Sequence, residues 1–495
     1  MAAPGTTVTV SASPAPFTNP TPTGTWFVDG LTQRGTVGAP VLLTSLADYT
    51  TLLGARVPYG NIYDSAEIFF REGGNAMYVS RDVGPAAVTA TLALKDRTVT
   101  APPTTLTVNA LGQGIWGNNV AVAVINAPGS VVNYQLQITY LGALVETSSV
   151  LTSPADAVAW GKTSRYVRVL DAGSASVVPT NNPVVIAATT LAAGVDDNLN
   201  VTDAIRTASR AVFTADLGPG QVSSPGVLTP VTQGALIAHA QAFNRLALLD
   251  MPDTPTAATA ISAAGVVQSA AVDPSYAAIV GPWLIYPGSP TGTATPAFPR
   301  TIPPVAGAAA LMARSDASNL GEANLAAAAS NGILTSASGI TQTFIPSDLD
   351  ALNTAGICII RTIANQGGTQ LYGYRSLALD PSWLDLANVR FRMQLVFEGQ
   401  QIGSSFVFAQ IDGKGQTLAA FGGALASSLA KHWEKGSLYG ATPSQAFKVN
   451  IGPTVNTPAT IAGRQINAVE SVRMSPSAEF VNISIVKYAV TQTLP

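Results

Sequence analysis

Apolar positions along this chain follow two kinds of pattern: short runs typical of strands, and a repeat of about 3.6 residues typical of helices. From residue 26 to about 83, short apolar runs at 26–28 and 41–43 predict strands, and helical patterns cover about 45–53 and 63–72. Residues 191–375 follow the same rhythm, with a helix at 235–245 leading into a buried strand at 246–249. Alternating strands and helices predict a largely parallel sheet covered by helices.

The stretch between these two regions has a different pattern. Strand-like runs recur at 105–108, 120–125, 134–140 and 166–170, and turn-forming residues separate them. Short strands at this spacing are typical of an all-β sandwich. We therefore predict a β-sandwich inserted into the α/β domain.

The two ends differ from the rest of the chain. Residues 1–25 are rich in Pro, Thr and Ser, with an alternating stretch at 7–10, and carry too few large apolar groups for a core of their own. They predict either a disordered tail or an arm that pairs with another chain. Residues 376–495 predict a last α/β unit, with a helix at 415–435 and strands at 447–451, 465–471 and 479–490. A final strand without a following partner leaves its backbone open for pairing.

The predicted fold class is therefore α/β and β multidomain, with mixed α/β core domains, an inserted β-sandwich and extended terminal arms. The predicted units are an N-terminal extended arm at 1–25, an N-terminal α/β domain at 26–90, the sandwich at 91–190, a central α/β domain at 191–375 and a C-terminal α/β domain at 376–495 that ends in a strand-donating arm.

Composition narrows the range of functions. Of the 495 residues, 47% are apolar and only 11% are charged, and 25 Lys and Arg against 28 Asp and Glu give a net charge of −3. A surface with so little charge associates readily, which suits a subunit of a large assembly. No basic field favours nucleic acid or anionic lipid. The start of the chain lacks the pattern of a signal peptide, and no apolar stretch approaches the roughly 20 residues of a membrane span, so we expect a protein made in a cytoplasm without membrane insertion.

Candidate catalytic chemistry is sparse. The single cysteine, Cys358, lies in an apolar run and is interpreted as a core residue. His239 and His432 are both interpreted as structural, the second on a solvated helix end. No serine-hydrolase elbow or zinc-protease motif occurs. Asp348 and Asp350 follow a proline and fit a helix start better than a metal site. We predict no enzyme activity and no cofactor.

Two glycine-containing segments imitate nucleotide-binding motifs. Residues 112–117 satisfy Gly-x-Gly-x-x-Gly, but a strand pattern follows where dinucleotide binding requires a helix. This segment is interpreted as a glycine turn. Residues 161–163 match the end of a phosphate-binding loop, but Asp156 occupies the first glycine position and would repel phosphate.

An ordered series of short motifs along nearly the whole chain resembles contractile bacteriophage tail sheath proteins. The residues that carry the resemblance include Arg34-Gly35, Gly73-Gly74-Asn75, Gly114-Ile115-Trp116-Gly117-Asn118, Gly194-Val195-Asp196, Arg245 to Pro252, Ala313-Arg314-Ser315-Asp316, Asn388-Val389-Arg390 with Arg392, Gly440-Ala441-Thr442-Pro443 and Ala478-Glu479-Phe480. The central domain is often described as subtilisin-like in this family. Two histidines in the whole chain argue against a protease here.

The resemblance implies a structural subunit of a virion, assembled in the host cytoplasm. Such subunits form a sixfold helical sheath around the tail tube, attach to baseplate and tail terminator proteins, and contract to drive the tube through the host envelope for genome ejection. The arms would cross between subunits, anchored by Val8, Val10, Val481, Ile483 and Ile485. Lys431, Glu434 and Lys435 are candidate tube contacts, and a solvated helix face is the alternative for them. The sheath of a phage-derived contractile injection system or tailocin is the nearest alternative, and a hydrolase and a capsid or surface-layer protein are alternatives of other classes.

Overall fold

The computed structural model describes residues 22–287, 299–318, 327, 331–363, 367–479 and 487. Its strands are β1 (Trp26–Gly30), β2 (Val41–Leu43), β3 (Met77–Arg81), β4 (Thr91–Lys95), β5 (Thr104–Ala110), β6 (Val120–Asn126), β7 (Tyr134–Tyr140), β8 (Ala143–Thr147), β9 (Val167–Asp171), β10 (Ile186–Thr190), β11 (Gln221–Ser223), β12 (Leu246–Asp250), β13 (Ala277–Gly281), β14 (Leu284–Tyr286), β15 (Arg300–Ile302), β16 (Gly339–Ile340), β17 (Ile357–Ile363), β18 (Gly368–Leu371), β19 (Phe447–Asn450) and β20 (Val469–Val472). Its α-helices are α1 (Leu46–Leu53), α2 (Ile62–Arg71), α3 (Pro154–Gly161), α4 (Asp203–Arg210), α5 (Pro230–Ala242), α6 (Ala257–Ala270), α7 (Pro304–Ser318), α8 (Pro346–Thr354), α9 (Leu386–Ser404), α10 (Gln416–Glu434), α11 (Pro443–Ala446) and α12 (Pro458–Ala462).

An eight-stranded sheet organises the α/β part of the chain. Its order is β18-β17-β13-β12-β11-β1-β3-β2; the six inner strands run parallel, and the two outer strands pair antiparallel with their neighbours. The predicted parallel sheet is therefore confirmed. Because β1 pairs with both β3 and β11, strands from the ranges 26–90 and 191–375 lie in one continuous sheet.

Both faces of this sheet are covered, which explains the continuous apolar runs of its strands. Along β12, Leu246 and Leu248 enter the core beneath α2 and α7, whereas Ala247 and Leu249 enter the core beneath α5 and α6. The alternation follows from the two-residue repeat of a strand. A parallel strand buried on both sides reads as uniformly hydrophobic.

Two antiparallel sheets between β4 and β10 form an inserted β-sandwich, as the predicted fold class requires. The sheet β10-β6-β7-β8 packs against the sheet β4-β5-β9 around a shared apolar core. Helix α3 lies on β9 and was not predicted, although Ser153 and Asp156 form a capping box at its start. The segment 112–117 is confirmed as a turn, because a short 3-10 helix at Ile115–Asn119 passes directly into β6.

Residues 376–479 form a smaller C-terminal unit around α9 and α10. The predicted strand at 447–451 is confirmed as β19, but the one at 465–471 is wrong for its first half, since only β20 is a strand. Asn456 explains the difference, because its side chain forms hydrogen bonds with both the backbone amide and the backbone carbonyl of Asn467. These side-chain hydrogen bonds replace the strand-to-strand hydrogen bonds that a β-strand would make at this position. The predicted strand at 479–490 lies outside the described residues, except for 479 and 487.

Within the described ranges, no helix combines the length and the apolar character that crossing a bilayer requires.

Candidate assembly surfaces

The C-terminal unit contains a sheet that is much smaller than the eight-stranded sheet of the α/β part. Strands β19 and β20 pair antiparallel and form a sheet of two strands in the described part of the chain. An isolated two-stranded sheet is marginally stable in water. Here one face is supported by α10, and Phe447, Val449 and Val472 pack on a four-residue core of Phe391, Leu429, Leu438 and Ala446. Each strand therefore has one edge without a ladder partner among the described residues.

The terminal segments predicted to pair with such an edge lie outside the described residues. This applies to Val8 and Val10 at the start and to Val481, Ile483 and Ile485 at the end. The described chain leads up to the second group through two polar contacts. Ser477 Oγ donates to Asp385, 2.8 Å away, and Arg375 Nη2 lies 2.6 Å from Glu479.

The three predicted tube contacts lie at the end of α10, and all three are exposed. Lys431 and Lys435 are four residues apart and share one face of the helix end. Glu434 borders an open groove of about 810 Å³ next to Trp433, Tyr439 and Arg473. Cations are favoured at a helix C-terminus, so the two lysines also have an ordinary electrostatic reason to be there.

His432, between these residues, is not solvated as predicted. It is 3% exposed, and its Nε2 lies 2.8 Å from Glu398 Oε2. Ser428 donates to the same oxygen at 2.5 Å, and Gln394 donates to the other. Burial alone would raise the pKa of Glu398, but these hydrogen bonds, led by that from His432, hold the pKa below its ordinary value.

This arrangement joins helices and does not build a nucleophile. In a serine hydrolase the imidazole lies between the hydroxyl and the acid, where it can take the hydroxyl proton. Here the carboxylate lies between Ser428 and His432, so the hydroxyl donates to the acid directly. The cluster therefore ties α10 to Glu398 on α9 and agrees with the structural role predicted for His432.

His239 is also structural. Its Nε2 lies 2.9 Å from Arg245 Nη1, and its ring centroid lies 4.6 Å from that of Phe243, with the two rings tilted by 44°. Burial, followed by the charge of Arg245, lowers the pKa of His239 to about 3, so the ring is neutral. Asp348 lies in the first turn of α8, as expected for a helix start.

Several arginines join the units of the fold, a role that the sequence patterns did not predict. They lie in the motifs on which the resemblance to tail sheath proteins rests. Arg390 on α9 is fully buried and pairs with Asp316 on α7, which also accepts a hydrogen bond of 2.7 Å from Thr23. Nearby, the Arg392 guanidinium lies 4.3 Å from the Tyr276 ring centroid and 4.4 Å from that of Trp383. The contacts of Arg390 with Asp316 and of Arg392 with Tyr276 fix the C-terminal unit to the α/β domain, whereas Trp383 belongs to the C-terminal unit itself.

A second arginine fixes the sandwich. The Arg34 guanidinium lies among three sandwich rings, at 4.5 Å from the Tyr166 centroid, 5.3 Å from Tyr140 and 5.9 Å from Trp116. Its Nη2 also donates to the carbonyl of Thr51 at 2.6 Å, at the end of α1. Arg34 therefore bridges the α/β domain and the insert, and the sequence signal was an arginine in an otherwise uncharged turn.

Comparison with protein-family models and with curated proteins finds no match. Comparison with solved structures finds contractile sheaths. The chain aligns with the sheath tail protein of Listeria innocua at 12% identity and a TM-score of 0.58, over 87% of this chain and 89% of that one. The chain also aligns with the sheath tail protein of Desulfitobacterium hafniense, at 14% identity and a TM-score of 0.53, over 90% of this chain and 93% of that one.

A third structure is the contracted sheath of an extracellular contractile injection system, PVC. Identity to it is 16% and the TM-score is 0.56, with 98% of both chains covered. At identities this low, the alignments show a shared fold and nothing further. The fold of this chain is that of the sheath proteins of contractile tails and injection systems.

Proposed function

We propose that this protein is a structural subunit of a contractile sheath that polymerises helically around an inner tube. The observation that carries the proposal is the end-to-end alignment with a contracted sheath subunit, which covers 98% of both chains. The match includes the α/β domain, the inserted sandwich and the C-terminal unit together. A hydrolase that shared only the parallel sheet would not align over the insert and the last hundred residues.

The small C-terminal sheet supports a specific way of joining subunits. We infer that the terminal arms of neighbouring copies add strands to the free edges beside β19 and β20. Backbone hydrogen bonds would then supply affinity, and alternate side chains would supply specificity. Val8, Val10, Val481, Ile483 and Ile485 are the proposed anchors, each contributing about 1.5–3 kcal/mol before ordering costs.

Contraction would then be a switch between two packings of rigid subunits. The buried Arg390–Asp316 pair and the Arg34 aromatic cluster hold the units of one subunit together. Motion would therefore concentrate in the arms between subunits. Contacts of this head-to-tail kind propagate into helices, because they do not close on themselves.

In finer terms, we propose a phage tail sheath that drives its tube through the host envelope for genome delivery. The partners would be further copies of the chain in a sixfold helix, the tail tube protein, and the baseplate and tail terminator proteins. Lys431, Glu434 and Lys435 are the proposed tube contacts. The alternative is the sheath of an injection system or tailocin, which is favoured by the match to the PVC sheath. Neighbouring capsid genes would distinguish the two.

Electron microscopy of the purified protein tests the proposal. We expect striated hollow tubes from the full chain, and folded monomers without tubes after deletion of residues 1–20. Circular dichroism and mass photometry establish that the truncated protein is folded and monomeric. Tubes of normal length from the truncation would reject the arm mechanism, and a full-length protein that stays monomeric at high concentration with tube protein present would reject the sheath function.

A further inference from the structure

An apolar pocket lies at the far end of the C-terminal unit, where α9 ends and α10 begins. It has a volume of about 660 Å³, and its lining includes Phe406, Ile411, Phe421, Ile461, Arg464 and Ile466. Arg464 is the one charged residue in this lining. Two further apolar residues, Val407 and Phe408, stand at the rim with exposures of 62% and 101%.

The loop that presents Phe408 is held in place. The Phe406 and Phe421 rings meet edge to face at a centroid distance of 5.1 Å. Asp412 accepts hydrogen bonds from the backbone amides of Gln416 and Thr417, and these bonds lower its pKa to about 2. A fully exposed phenylalanine on a fixed loop beside an apolar pocket is typical of an interaction site.

We propose that this pocket binds the proline-flanked Phe17 of a neighbouring copy of the chain. Residues 1–21 contain no charged side chain, which fits a lining with a single charge. Pro14, Pro16 and Pro20 favour an extended conformation around Phe17. Aromatic-lined grooves bind such segments at low entropic cost, because proline has already restricted the backbone.

The length of the arm favours a neighbour over the same chain. Thr23 and Arg390 both bind Asp316, so the described chain starts beside the first turns of α9. The pocket begins near Gly403, which is 13 residues and about 20 Å further along the helix. Phe17 precedes Thr23 by six residues, which span about 19–22 Å when fully extended. The same chain would reach the pocket only in a straight line without slack, so we assign the pocket to the arm of a neighbouring copy.

Photo-crosslinking tests this inference, which rests on the proposed self-assembly. A photoreactive phenylalanine analogue replaces Phe17 in the full chain, and a matched protein carries it at Ser11. Equal amounts of ¹⁵N-labelled and unlabelled protein are mixed and irradiated, and the crosslinked peptides are identified by mass spectrometry. We expect crosslinks from position 17 to residues 403–411 and 461–466, in heavy–light pairs, and few from position 11.

A rim variant provides the second readout. Phe408→Asp should lower the yield of these crosslinks about tenfold, the effect of losing one good apolar contact. Val266→Asp, an exposed apolar position on α6, should leave the yield unchanged. Crosslinks that fall elsewhere, or only between peptides of the same isotope, would overturn the inference even if tubes form. Heavy–light crosslinks at the pocket would support it even in preparations without tubes, so its outcome is separate from that of the sheath proposal.

Discussion

Buried arginines connect parts of this molecule that are distant in sequence. Arg210 on α4 donates to Asp29 on β1 at 2.9 Å. Arg245 lies 3.8 Å from the Phe27 ring centroid and donates to the carbonyl of Phe213 at 2.6 Å. Guanidinium suits these positions, since it stacks on rings and forms several hydrogen bonds in one plane. The chain has few charges, and these residues place some of them at junctions.

The pair formed by Asp316 and Arg390 should behave as one energetic unit. Asp316→Ala leaves the Arg390 guanidinium buried without its carboxylate, so we expect a loss of about 3–5 kcal/mol in the free energy of unfolding. Arg390→Ala should cost a similar amount. In urea unfolding of a double-mutant cycle, the combined change should be smaller than the sum by at least about 1 kcal/mol. Simple additivity would show that the two side chains do not depend on each other.

Asp82 should make stability depend on pH. Burial, reinforced by nearby Asp29, raises the pKa of Asp82 above its ordinary value of 3.8, despite attraction from Arg206 and Arg210. The folded state therefore binds a proton more tightly than the unfolded state, and this contribution to stability is lost as pH rises through the raised pKa.

The isosteric change Asp82→Asn removes this titration. We expect it to raise Tm at pH 8 by at least about 2 °C and to raise it less at pH 5, where the folded-state carboxyl is still largely protonated but the unfolded-state one is not. The effect should disappear only below the ordinary pKa of 3.8, where both states are protonated. Differential scanning calorimetry at low protein concentration measures both values. The exposed Asp253→Asn serves as the control. A variant that is destabilised at pH 8 would mean that the Arg206 and Arg210 attractions outweigh burial.

At the level of elements, the sandwich depends on a small number of contacts for its orientation. The chain enters and leaves it through segments that pair at Val88–Val195 and Thr91–Ala192. Arg34 adds the aromatic contacts on one side. The core of the sandwich is separate from the two cores of the main sheet.

Loss of the Arg34 cation should therefore loosen the attachment and leave the sandwich itself folded. For Arg34→Ala, we expect faster amide hydrogen exchange at residues 112–119 and 164–167, by about tenfold, with unchanged exchange in β6 and β7. Arg34→Lys should restore little, because an ammonium lacks the planar stacking surface. Arg165→Ala, at an exposed position in the same sandwich, is the matched control. Equal acceleration throughout β6 and β7 would mean that Arg34 supports the sandwich fold itself.

The elements that were predicted well from sequence are those whose apolar pattern follows directly from which of their faces are buried. Strand β12 reads as apolar throughout because both of its faces are covered. The motif at 112–117 could be resolved because β6 followed it. Helix α3 was missed among strands, although its capping box was visible in Ser153 and Asp156. The burial of His432 could not be predicted, since its partner Glu398 lies 34 residues away on another helix.

At the scale of the whole molecule, the parts with a large enclosed core and the part with exposed apolar surface lie in different regions of the chain. The eight-stranded sheet is covered on both faces, and the sandwich encloses its own core. The C-terminal unit instead presents a two-stranded sheet, a four-residue core and an exposed apolar pocket. In the part of the chain that the structure describes, the two-stranded sheet, the small core and the pocket therefore all lie in one unit, apart from the three larger cores.

The end of α10 gives the last prediction, which concerns the tube. If Lys431 and Lys435 contact the tube, Lys431→Glu combined with Lys435→Glu should weaken co-sedimentation of sheath with tube protein at least about tenfold at physiological salt, since charge reversal replaces attraction with repulsion. The loss should be smaller in high salt, because screening weakens both interactions. The control, Lys162→Glu, reverses an exposed charge on the sandwich and should have no effect. Sheath that assembles on tubes normally with both lysines reversed would show that this helix end faces solvent, and the search for the tube-facing surface would move to another part of the C-terminal unit.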